Sequence, residues 1–599
     1  MNNSDAAAPT AAVLDSRRRL RAETNGKRMA RNSVQPHGWA ALKLPNETLR
    51  VLQVTPNTTI SLGKYGSFPS NLLMERPFHL TYEVQERREG ESFSRLRIVP
   101  GIELNADVLA ETVAGGSGDD DDDDDEMPVE GEEMALVDGT GPVLAQEDDP
   151  SGSTRQTLTT DEIEELKRKG ADAGKKLVAK LMLSHTALDQ KSAFSLAKYR
   201  LLKERKFLRR FTVLPVDVPL LARWMLEVRE PAKILDMRLE LIGLVSCWAD
   251  VHFGGVHGRW LAVDDTGGLL VAAMAESMGI LHRDAAAELD AEPDAEDTKP
   301  DETRLDGARP EDTVADDTIT PDEVSPKRRR TTNCPRKRLR RDDLDDRYAP
   351  GNTITLLHAN TQPNLSLLRY FDFDASDPNP PTPHHPLFTH LLALSWLQLV
   401  SPENDPAYAE RPSDVPAEEL ATWKPNRRGN YFRKRRRWAR IRQVVDGTRA
   451  GGFSGLAVAS TMDPVSVLRH ALPLLAGGSP IAVYSPHIEP LARLADCFTI
   501  ARRAAWLSLP PAAAEGRSAA ELECWEGTPE FPLNPTLVLG ATVHTSRAKK
   551  WQVLPGRTHP YMTARGGSEG YVFTGWRAVP AEGRVSARGK FQKKRAGGA

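Results

Sequence analysis

The sequence predicts an α/β protein in which a small N-terminal β-barrel-like domain precedes a doubly wound, mostly parallel sheet, with long disordered insertions. Short runs of alternating apolar and polar residues follow Trp39, separated by Asn, Gly and Pro, which is typical of small antiparallel strands. From residue 259 onward, strands alternate with helices, which favours a parallel sheet. The remaining segments are acidic and contain too few aromatic residues to form a core.

The chain as a whole is too long for one compact domain. Its 599 residues favour two or three domains, and 40% of them are apolar. No apolar run reaches the length of a membrane helix, and the N-terminal residues lack the apolar stretch of a signal peptide. The cysteines are far apart and form no CxxC pair, so we expect reduced thiols and no zinc site. They are Cys247, Cys334, Cys497 and Cys524.

The N-terminal part is predicted to contain a small folded module between disordered segments. Residues 1–36 are expected to be disordered, and residues 37–105 to form the β-barrel-like domain from about five strands. Residues 106–153 form an acidic linker that includes seven consecutive aspartates, Asp119–Asp125. A segment of this composition cannot bury enough apolar surface to offset the entropy of ordering, so we predict that it is disordered.

Residues 154–225 are predicted to form a helical, basic connector. Thr159 or Thr160 is expected to cap a first helix, and two further helical stretches read GKKLVAKLMLSHT and SAFSLAKYRLLKERKFLRRF. The last of these has a basic face, which predicts contact with RNA. The candidate residues are Lys198, Tyr199, Arg200, Lys203, Arg205 and Lys206.

Residues 226–580 are predicted to form a Rossmann domain. A helical pattern over residues 218–250, interrupted at Arg229–Pro231, leads into a strand (GRWLAVDD), a turn (TGG) and a helix (LLVAAMAESMG). After a disordered insertion at residues 283–350, strands and helices alternate, including one long helix over IEPLARLADCFTIARRA. The final strands, PTLVLGATV and GYVFTGWRA, are joined without a helix. They predict an antiparallel edge, as in many methyltransferase-like sheets, with QVLPGRTHP as a loop and residues 581–599 as a basic tail.

The turn after the first strand of this domain is where a doubly wound sheet would bind a phosphate or adenosyl cofactor. Glycines there let the backbone approach the ligand. The sequence keeps Gly267 and Gly268, but Asp264 and Asp265 occupy the end of the strand. We interpret this as a degenerate turn that packs the helix on the strand, so no cofactor is expected; a working S-adenosylmethionine pocket is the alternative.

No catalytic constellation stands out in the rest of the sequence. An amine-methylating site needs a polar group after the fourth strand, where this chain reads Ala459–Pro464. Asp463 precedes a helix and is interpreted as its N-cap rather than as a catalytic acid. His384 and His385 lie between prolines and are interpreted as a solvated loop, with a metal pair as the alternative. We therefore expect neither catalytic nor metal-binding residues.

The strongest functional signal is the stretch Asn426–Arg442, which has nine Arg or Lys residues and no acid. Tyr431, Phe432 and Trp438 lie among these cations. Cations neutralise phosphates and aromatic rings stack on splayed bases, so this stretch predicts RNA contact. The candidate residues are Lys434, Arg435, Arg436, Arg437 and Arg440.

Two further basic runs lie inside the predicted disordered insertion. They are Lys327–Arg330 and Arg336–Arg341. Their spacing favours a bipartite nuclear localisation signal, and non-specific contact with RNA is the alternative.

Several segments, taken in order, resemble one family. They are LTTDEIEELKRKGADAGKKLVAKL, KYRLLKERKF, REPAKILDMRLE, WLAVDDTGGLLVAAMAESMG and KKWQVLPGRTHPYM. Together they are similar to the non-catalytic subunit of the eukaryotic, and in particular fungal, tRNA adenine-58 N1-methyltransferase. The resemblance covers most of residues 37–100, 154–282, 352–400 and 430–580, and excludes the acidic run and the insertion.

The resemblance implies a nuclear complex, usually a heterotetramer, and a methyltransferase-like Rossmann domain in this chain. A catalytic paralogue would hold S-adenosylmethionine and the base-contacting aspartate, while this kind of subunit helps to clamp the tRNA. A self-sufficient S-adenosylmethionine-dependent RNA methyltransferase and a nuclear RNA-binding scaffold remain as alternative functions.

The resemblance also implies where RNA would be bound. The family's RNA-contacting regions would fall on Lys198–Phe207, Arg229–Asp236, Lys434–Arg442 and Gln552–Pro560. They add to the candidates Arg229, Lys233, Gln552, Arg557, Thr558 and His559. Family members often have a basic residue just after the fourth strand, where this chain has Thr461.

Overall fold

A computed structural model of the chain describes residues 32–85, 93–104, 173–183, 199–200, 203–204, 207–255, 257–282, 348–376, 385–548, 551–554, 557–560 and 569–579. The predictions of disorder for the acidic linker, the long insertion and the basic tail, and the two basic runs of the insertion, lie outside these residues. Within the described part of the chain, no helix combines the length and apolar character needed to cross a membrane.

The described strands divide between a small N-terminal sheet, a large C-terminal sheet and two hairpins. In chain order they are β1 (Trp39–Lys43), β2 (Leu49–Gln53), β3 (Thr59–Ser61), β4 (Ser67–Pro69), β5 (Thr81–Val84), β6 (Leu96–Ile98), β7 (Arg210–Pro215), β8 (Arg259–Asp264), β9 (Thr353–His358), β10 (Leu391–Ser395), β11 (Gly455–Ala459), β12 (Pro480–Ser485), β13 (Val538–His544), β14 (Trp551–Leu554), β15 (Arg557–Pro560) and β16 (Tyr571–Arg577).

Apart from the first, which precedes β7 of the N-terminal sheet, the described α-helices lie between the strands of the C-terminal sheet or lead into it. They are α1 (Ala173–Leu183), α2 (Val218–Glu227), α3 (Leu239–Trp248), α4 (Leu269–Ser277), α5 (Leu387–His390), α6 (Trp396–Val400), α7 (Pro406–Ala409), α8 (Ala417–Thr422), α9 (Pro425–Arg449), α10 (Pro464–Ala471), α11 (Ile488–Asp496), α12 (Ile500–Ser508) and α13 (Ala519–Glu523).

The N-terminal sheet is antiparallel and has the strand order β2-β1-β7-β5-β6. Its central strand, β7, comes from the segment that the sequence analysis assigned to a helical connector, so that assignment is wrong for residues 210–215. Because apolar and polar residues alternate in RFTVLP, Phe211 and Val213 are buried in the core. The rings of Phe211 and Phe68 stack there with their centroids 5.1 Å apart. This period of two, rather than the preceding helical spacing, decides the conformation. Closure of the sheet into a barrel remains a prediction.

The C-terminal sheet has seven strands in the order β10-β9-β8-β11-β12-β16-β13. β10, β9, β8, β11 and β12 run parallel, and β16 is antiparallel to both of its neighbours. Alternate residues of β8 point to opposite faces: Trp260 joins one buried cluster, and Leu261 and Val263 join the other. The prediction of a mostly parallel sheet covered on both faces, with an antiparallel pair at its C-terminal end, is confirmed.

Two helical predictions differ from the structure in detail. The helical pattern of residues 218–250 forms α2 and α3, separated at the predicted place by a single 3₁₀ turn, Pro231–Ile234. The prediction of a single helix after β12 is wrong, because this segment forms two helices, α11 and α12. Thr499 begins the second helix by accepting a hydrogen bond from the Arg502 amide at 3.3 Å, because a threonine hydroxyl competes well as an N-cap.

The two sheets share a core at one junction. The ring of Trp39 in β1 meets Tyr370 edge-on at 4.7 Å, and Trp224 of α2 meets the same ring at 5.6 Å. Ala41 and Leu49 belong to the same buried cluster as the α3 and α4 side chains. The N-terminal sheet is therefore held against one face of the C-terminal domain.

Candidate nucleic-acid interface

The turn after β8 is closed by its own side chains. Asp264 is buried, and its carboxylate accepts hydrogen bonds from the Thr266 amide at 2.6 Å, the Thr266 hydroxyl at 2.5 Å and the Val271 amide at 3.0 Å. Burial raises the pKa of Asp264, and these hydrogen bonds act in the opposite direction. The Leu270 amide donates to the Thr266 hydroxyl at 3.1 Å. Amides at the start of α4, which would otherwise face an anion, are thus satisfied within the chain.

The glycines of the turn are covered by the segment that follows β9. Gly267 and Gly268 have φ values of +73° and +93°, which favour glycine. A Cβ atom added at Gly268 would lie 3.2 Å from the Cα of Leu365, and the Leu367 amide donates to the Gly267 carbonyl at 2.9 Å. The close approach that these glycines permit is therefore to the chain itself. This geometry matches the interpretation of a turn that packs helix on strand.

The second acidic residue of the turn joins β8 to β11. Asp265 accepts hydrogen bonds from the Ser460 hydroxyl at 2.5 Å and the Thr461 amide at 3.0 Å. Asp463, two residues on, accepts from the Ser466 amide at 3.1 Å, so its predicted role as an N-cap is confirmed. The polar groups after the fourth strand are therefore engaged in holding this edge of the sheet together.

Helix α9 contains the basic stretch and packs on the sheet near its C-terminal end. Val444, Val445 and Thr448 are its buried residues. The Arg259 guanidinium, at the first residue of β8, donates to the carbonyls of Gly447 at 2.9 Å and Gly451 at 3.0 Å. The end of α9 therefore lies at the amino ends of the parallel strands. A 25-residue helix is about 37 Å long, whereas a strand of five or six residues spans about 17–20 Å. The first half of α9 thus extends beyond the part of the helix that packs on the sheet.

Some cations of α9 hold the segment that precedes the helix. Arg435 pairs with Asp414 at 3.0 Å and also donates to the Tyr431 hydroxyl at 3.1 Å. The guanidinium of Arg442 lies over the Tyr408 ring at 4.5 Å. These arginines have an internal structural role.

The aromatic residues of α9 have the same role. The Trp438 indole donates to the Tyr408 carbonyl at 3.0 Å, and the Arg411 guanidinium lies over its ring at 5.6 Å. The Tyr431 hydroxyl donates to the Ser413 carbonyl at 3.0 Å. The sequence predicts that these rings stack on bases, whereas in the structure Tyr431 and Trp438 fasten residues 408–415 to the helix.

Other cations of α9 lie on an open side. Lys434, Arg437, Ile441 and Val444 recur at helical spacing, so the side that packs on the sheet near Val444 continues beyond the sheet as Lys434 and Arg437. Both basic side chains are exposed. Within the described part of the chain, neither has a hydrogen-bond or ion-pair partner. This arrangement presents positive charge to solvent along the first half of α9.

Two more predicted α9 residues are less open than Lys434 and Arg437. Arg436 and Arg440 are half-buried, and Arg436 has an interaction within the chain. The candidate residues of α9 therefore differ in how much of each side chain a phosphate could reach.

The connector residues are partly neutralised. Lys203 lies over the Tyr199 ring at 4.8 Å, and burial lowers the pKa of Lys203. Arg200 pairs with Glu204 at 3.2 Å. Lys198, Arg205 and Lys206 lie outside the described residues.

The Arg229–Asp236 stretch lies at the same edge of the sheet. The Tyr484 hydroxyl, near the carboxyl end of β12, donates to the Leu235 carbonyl at 2.8 Å. Arg229 lies over the Trp224 ring at 4.8 Å. Lys233 pairs with Glu230 at 3.1 Å, although both side chains are about two-thirds exposed. The edge that holds the polar turn therefore also holds these two cations.

The segment predicted as a loop, Gln552–Pro560, is a hairpin instead. β14 and β15 pair antiparallel, with Gln552 opposite His559, Val553 opposite Thr558 and Leu554 opposite Arg557. The alternating pattern WQVL favours a strand, and a Pro-Gly pair in the sequence between two such runs is typical of a turn. Thr558 is exposed.

Arg238 contacts the chain both before and after this hairpin. Its guanidinium donates to the carbonyls of Ser546 at 2.5 Å and Glu569 at 2.8 Å. Arg238, two residues after the Arg229–Asp236 stretch, therefore holds together described residues that precede and follow the hairpin in the chain.

The interpretation of His385 as part of a solvated loop is wrong. The residue is buried: its Nε2 lies 3.0 Å from the Phe371 carbonyl, and its Nδ1 accepts from the Leu387 amide at 3.2 Å. His384 lies outside the described residues. Among the residues that the structure describes, no group of three His, Cys, Asp or Glu side chains could hold a metal ion.

Sequence reasoning missed Arg259 and Arg238, which position the candidate RNA-binding elements. Each is a lone arginine at the start of an apolar strand or helix, as in RWLAVD for Arg259. An arginine there can satisfy carbonyl groups where a helix ends. A lone arginine at the start of an apolar run is a weak signal, because the sequence does not reveal which distant carbonyl groups it will bind.

Comparisons with known proteins place these features in context. The model of the Gcd10p family matches residues 33–424. A protein of Aspergillus fumigatus named tRNA (adenine(58)-N(1))-methyltransferase non-catalytic subunit trm6 is 42% identical over 588 residues, covering 94% of this chain and 95% of that protein. A protein of the same name from Aspergillus oryzae is 41% identical, with the same coverage of both chains.

A solved structure gives a weaker likeness. The tRNA (m1A58) methyltransferase TrmI from Aquifex aeolicus is 7% identical and covers 91% of this chain and 99% of its own, with a TM-score of 0.33. At that score the likeness carries no argument.

Proposed function

Because the chain belongs to the Gcd10p family, we propose that it is the non-catalytic, tRNA-binding subunit of a tRNA (adenine-58-N1)-methyltransferase. The family match covers residues 33–424, and the similar Aspergillus proteins carry this name. The function of this chain is to hold the substrate tRNA for a catalytic partner, not to transfer the methyl group.

The main support for the non-catalytic role is the turn after β8, because side chains of the chain itself fill the space that a cofactor would need. The Asp264 carboxylate accepts the Val271 amide, and Leu365–Leu368 cover Gly267 and Gly268. A cofactor at this turn would have to displace a buried carboxylate and a packed segment together. We therefore expect this chain to bind no S-adenosylmethionine, and the catalytic partner to supply it.

The RNA-binding role rests on the projecting half of α9. A tRNA is too large for one active site to orient, so a second subunit can grip its phosphates while the catalytic subunit presents cofactor and base. Lys434 and Arg437 are exposed and lie on one side of a helix with no acid before Asp446. They are the phosphate-binding residues of highest priority, with Arg436 and Arg440 beside them.

The other candidate residues extend this surface along the carboxyl edge. Arg229 and Lys233 lie on one stretch there, and Arg238 just after it bonds to Ser546 and Glu569, which precede and follow the β14–β15 hairpin in the chain. Their contribution to tRNA binding is a proposal, as is that of Arg200 and Lys203, whose charges are partly matched within the chain.

The partner is proposed to be a catalytic paralogue, and the complex a heterotetramer of two heterodimers. A paralogue would have the same sheet topology, which favours a pseudo-symmetric pairing of subunits. Sedimentation of the co-expressed subunits tests this: a mass of two copies of each is expected, and a single heterodimer at micromolar concentration would contradict the tetramer.

The site of action is proposed to be the nucleus. Lys327–Arg330 and Arg336–Arg341 have the spacing of a bipartite import signal. Replacing the second run with alanines should leave a fluorescent fusion in the cytoplasm. Unchanged nuclear accumulation of that variant would remove the support for this signal.

The experiment for the whole proposal measures tRNA affinity over a series of salt concentrations. Cation–phosphate contacts make the logarithm of the affinity fall linearly with the logarithm of the salt concentration. We expect a steep slope with tRNA and methylation only when the catalytic subunit is added. Salt-independent binding would contradict the phosphate grip, and methylation by this chain alone would establish the self-sufficient enzyme instead.

A further inference from the structure

Helix α3 has an outward face without the polar residues that a solvent-exposed helix normally carries. Its sequence, LELIGLVSCW, contains one charged residue, although the helix packs on the outside of the sheet against β12 and β16. Leu239, Gly243 and Cys247 recur at a spacing of four and are exposed, Leu239 by 45%. Helices that cover a sheet are usually amphipathic, with charged or polar residues on the open side.

The one charged residue of α3, Glu240, does not make the open side of the helix polar, because its carboxylate already has partners within the chain. Glu240 pairs with Arg238 at 2.9 Å and accepts a hydrogen bond from the Ala548 amide at 3.2 Å. Its side chain is only 18% exposed. The open side of the helix therefore presents leucine, glycine and cysteine to solvent.

The apolar surface continues from α3 onto the end of the sheet. Trp248, the last residue of α3, meets Trp576 of β16 edge-on at 6.4 Å. Trp576 is 44% exposed, and its cross-strand neighbour Leu539 in the edge strand β13 is 48% exposed. The last two strands thus keep an uncovered apolar side beside α3.

On its other flank α3 borders a shallow cleft of about 330 Å³. Leu239, Gly243 and Cys247 line it together with Val218 of α2 and Ala273 of α4, and the exposed Glu276 and Ser277 line it as well. Exposed apolar side chains therefore run from this cleft across α3 to Trp576 and Leu539. A stable interface needs about 800 Å² from each partner, so this face would form the centre of a larger contact.

Gly243 gives an independent reason to expect a partner. A glycine in the middle of a helix destabilises it by roughly 0.5–1 kcal/mol relative to alanine. The backbone at Gly243 is ordinary helix, and a Cβ atom added there would meet nothing within 4 Å. Nothing in the described part of the chain therefore requires glycine, whereas the close approach of another chain would.

We infer that the α3 face, defined as Leu239, Gly243, Cys247, Trp248, Leu539 and Trp576, is the docking surface for the catalytic methyltransferase subunit. This inference rests on the proposed function, which supplies an obligate protein partner. Its exposed side chains offer no cation for phosphate, so RNA is not its occupant. Its apolar character matches the centre of a stable protein–protein interface, where charged residues are depleted.

The test is Gly243→Arg, measured with the full-length chain and its catalytic subunit by sedimentation or calorimetry. The added side chain points into open space, and arginine favours helix more than glycine does, so folding should be preserved. A charge placed in an apolar interface should weaken association by roughly a hundredfold. Ala504→Arg, on the exposed side of α12, is the matched control, because α12 also exposes Ile500 and Leu507.

Each outcome decides between alternatives. Loss of association with Gly243→Arg, together with wild-type association of Ala504→Arg and unchanged thermal unfolding of both, supports the inference. Equal association of Gly243→Arg and wild type overturns it and leaves the proposed function intact. If the wild-type chain does not bind the catalytic subunit at all, the proposed function fails. If the chain self-associates and Gly243→Arg abolishes that self-association, the face pairs with a second copy, which also overturns the inference.

Discussion

The guanidinium of Arg259, the first residue of β8, donates to the carbonyl of Gly447 near the end of α9 at 2.9 Å. A second hydrogen bond reaches Gly451 at 3.0 Å, and the Arg259 guanidinium also lies over the Phe453 ring at 4.5 Å. The amino end of the central parallel strand is thus fastened to the base of the basic helix. The direction in which α9 projects depends on this connection.

Arg259→Ala should therefore loosen the base of α9. Removing two charge-assisted hydrogen bonds to carbonyl groups lowers the free energy of unfolding by about 1.5–3 kcal/mol. Chemical denaturation measures the loss, and Arg259→Lys should recover part of it because the ammonium reaches only one carbonyl at a time. An alanine variant as stable as the wild type would contradict this role for Arg259.

Lys434→Glu and Arg437→Glu should weaken tRNA binding and leave stability unchanged, because both side chains are exposed. Each variant should reduce the slope of log affinity against log salt by about 1, and the double variant by about 2. Arg493→Glu, an equally exposed arginine on α11, is the matched control and should change neither affinity nor slope. Equal effects of Arg437→Glu and Arg493→Glu would show that only net charge matters.

Trp438→Phe separates a structural role from base stacking. The phenyl ring loses the hydrogen bond to the Tyr408 carbonyl but can still stack on a base. Hydrogen exchange of residues 405–415 should therefore accelerate while tRNA affinity changes by less than about threefold. A large loss of affinity with unchanged exchange would restore the stacking interpretation.

Asp264→Ala should destabilise the fold rather than alter ligand binding. It leaves the buried Thr266 and Val271 amides without their acceptor, which costs about 2–4 kcal/mol for the two groups together. Thermal unfolding measures this cost. Asp265→Ala is the comparison variant, with a smaller expected loss because Asp265 is only half-buried. If Asp264→Ala kept full stability but abolished S-adenosylmethionine binding, the turn would be a cofactor site.

Periodicity in the sequence predicted most of the C-terminal sheet, because its strands are continuous apolar runs bounded by Gly, Ser and Pro. The run from Leu261 to Val263 is buried on both faces, which is what the composition indicates. β7 was missed because Arg209 and Arg210 continue the basic spacing of the preceding helix. Its strand pairing depends on β1 and β5, which lie more than a hundred residues earlier.

The candidate site was predictable as a set of charges but not as a surface. Composition alone identified the cations of α9, yet it could not separate Arg435, which pairs with Asp414, from the open Arg437. That distinction depends on how residues 405–415 fold back onto the helix. The sequence predicted a turn that packs helix on strand, but the closure of this turn by Leu365 involves a contact across a long insertion that no local pattern encodes.

The measurement that tests the central claim most directly is S-adenosylmethionine binding and tRNA methylation by the purified chain, alone and with its catalytic partner. We predict no cofactor binding and no methylation by the chain alone, and methylation when the partner is added. Cofactor binding with turnover by the chain alone would contradict the non-catalytic assignment and would require the turn from Asp264 to Gly268 to open.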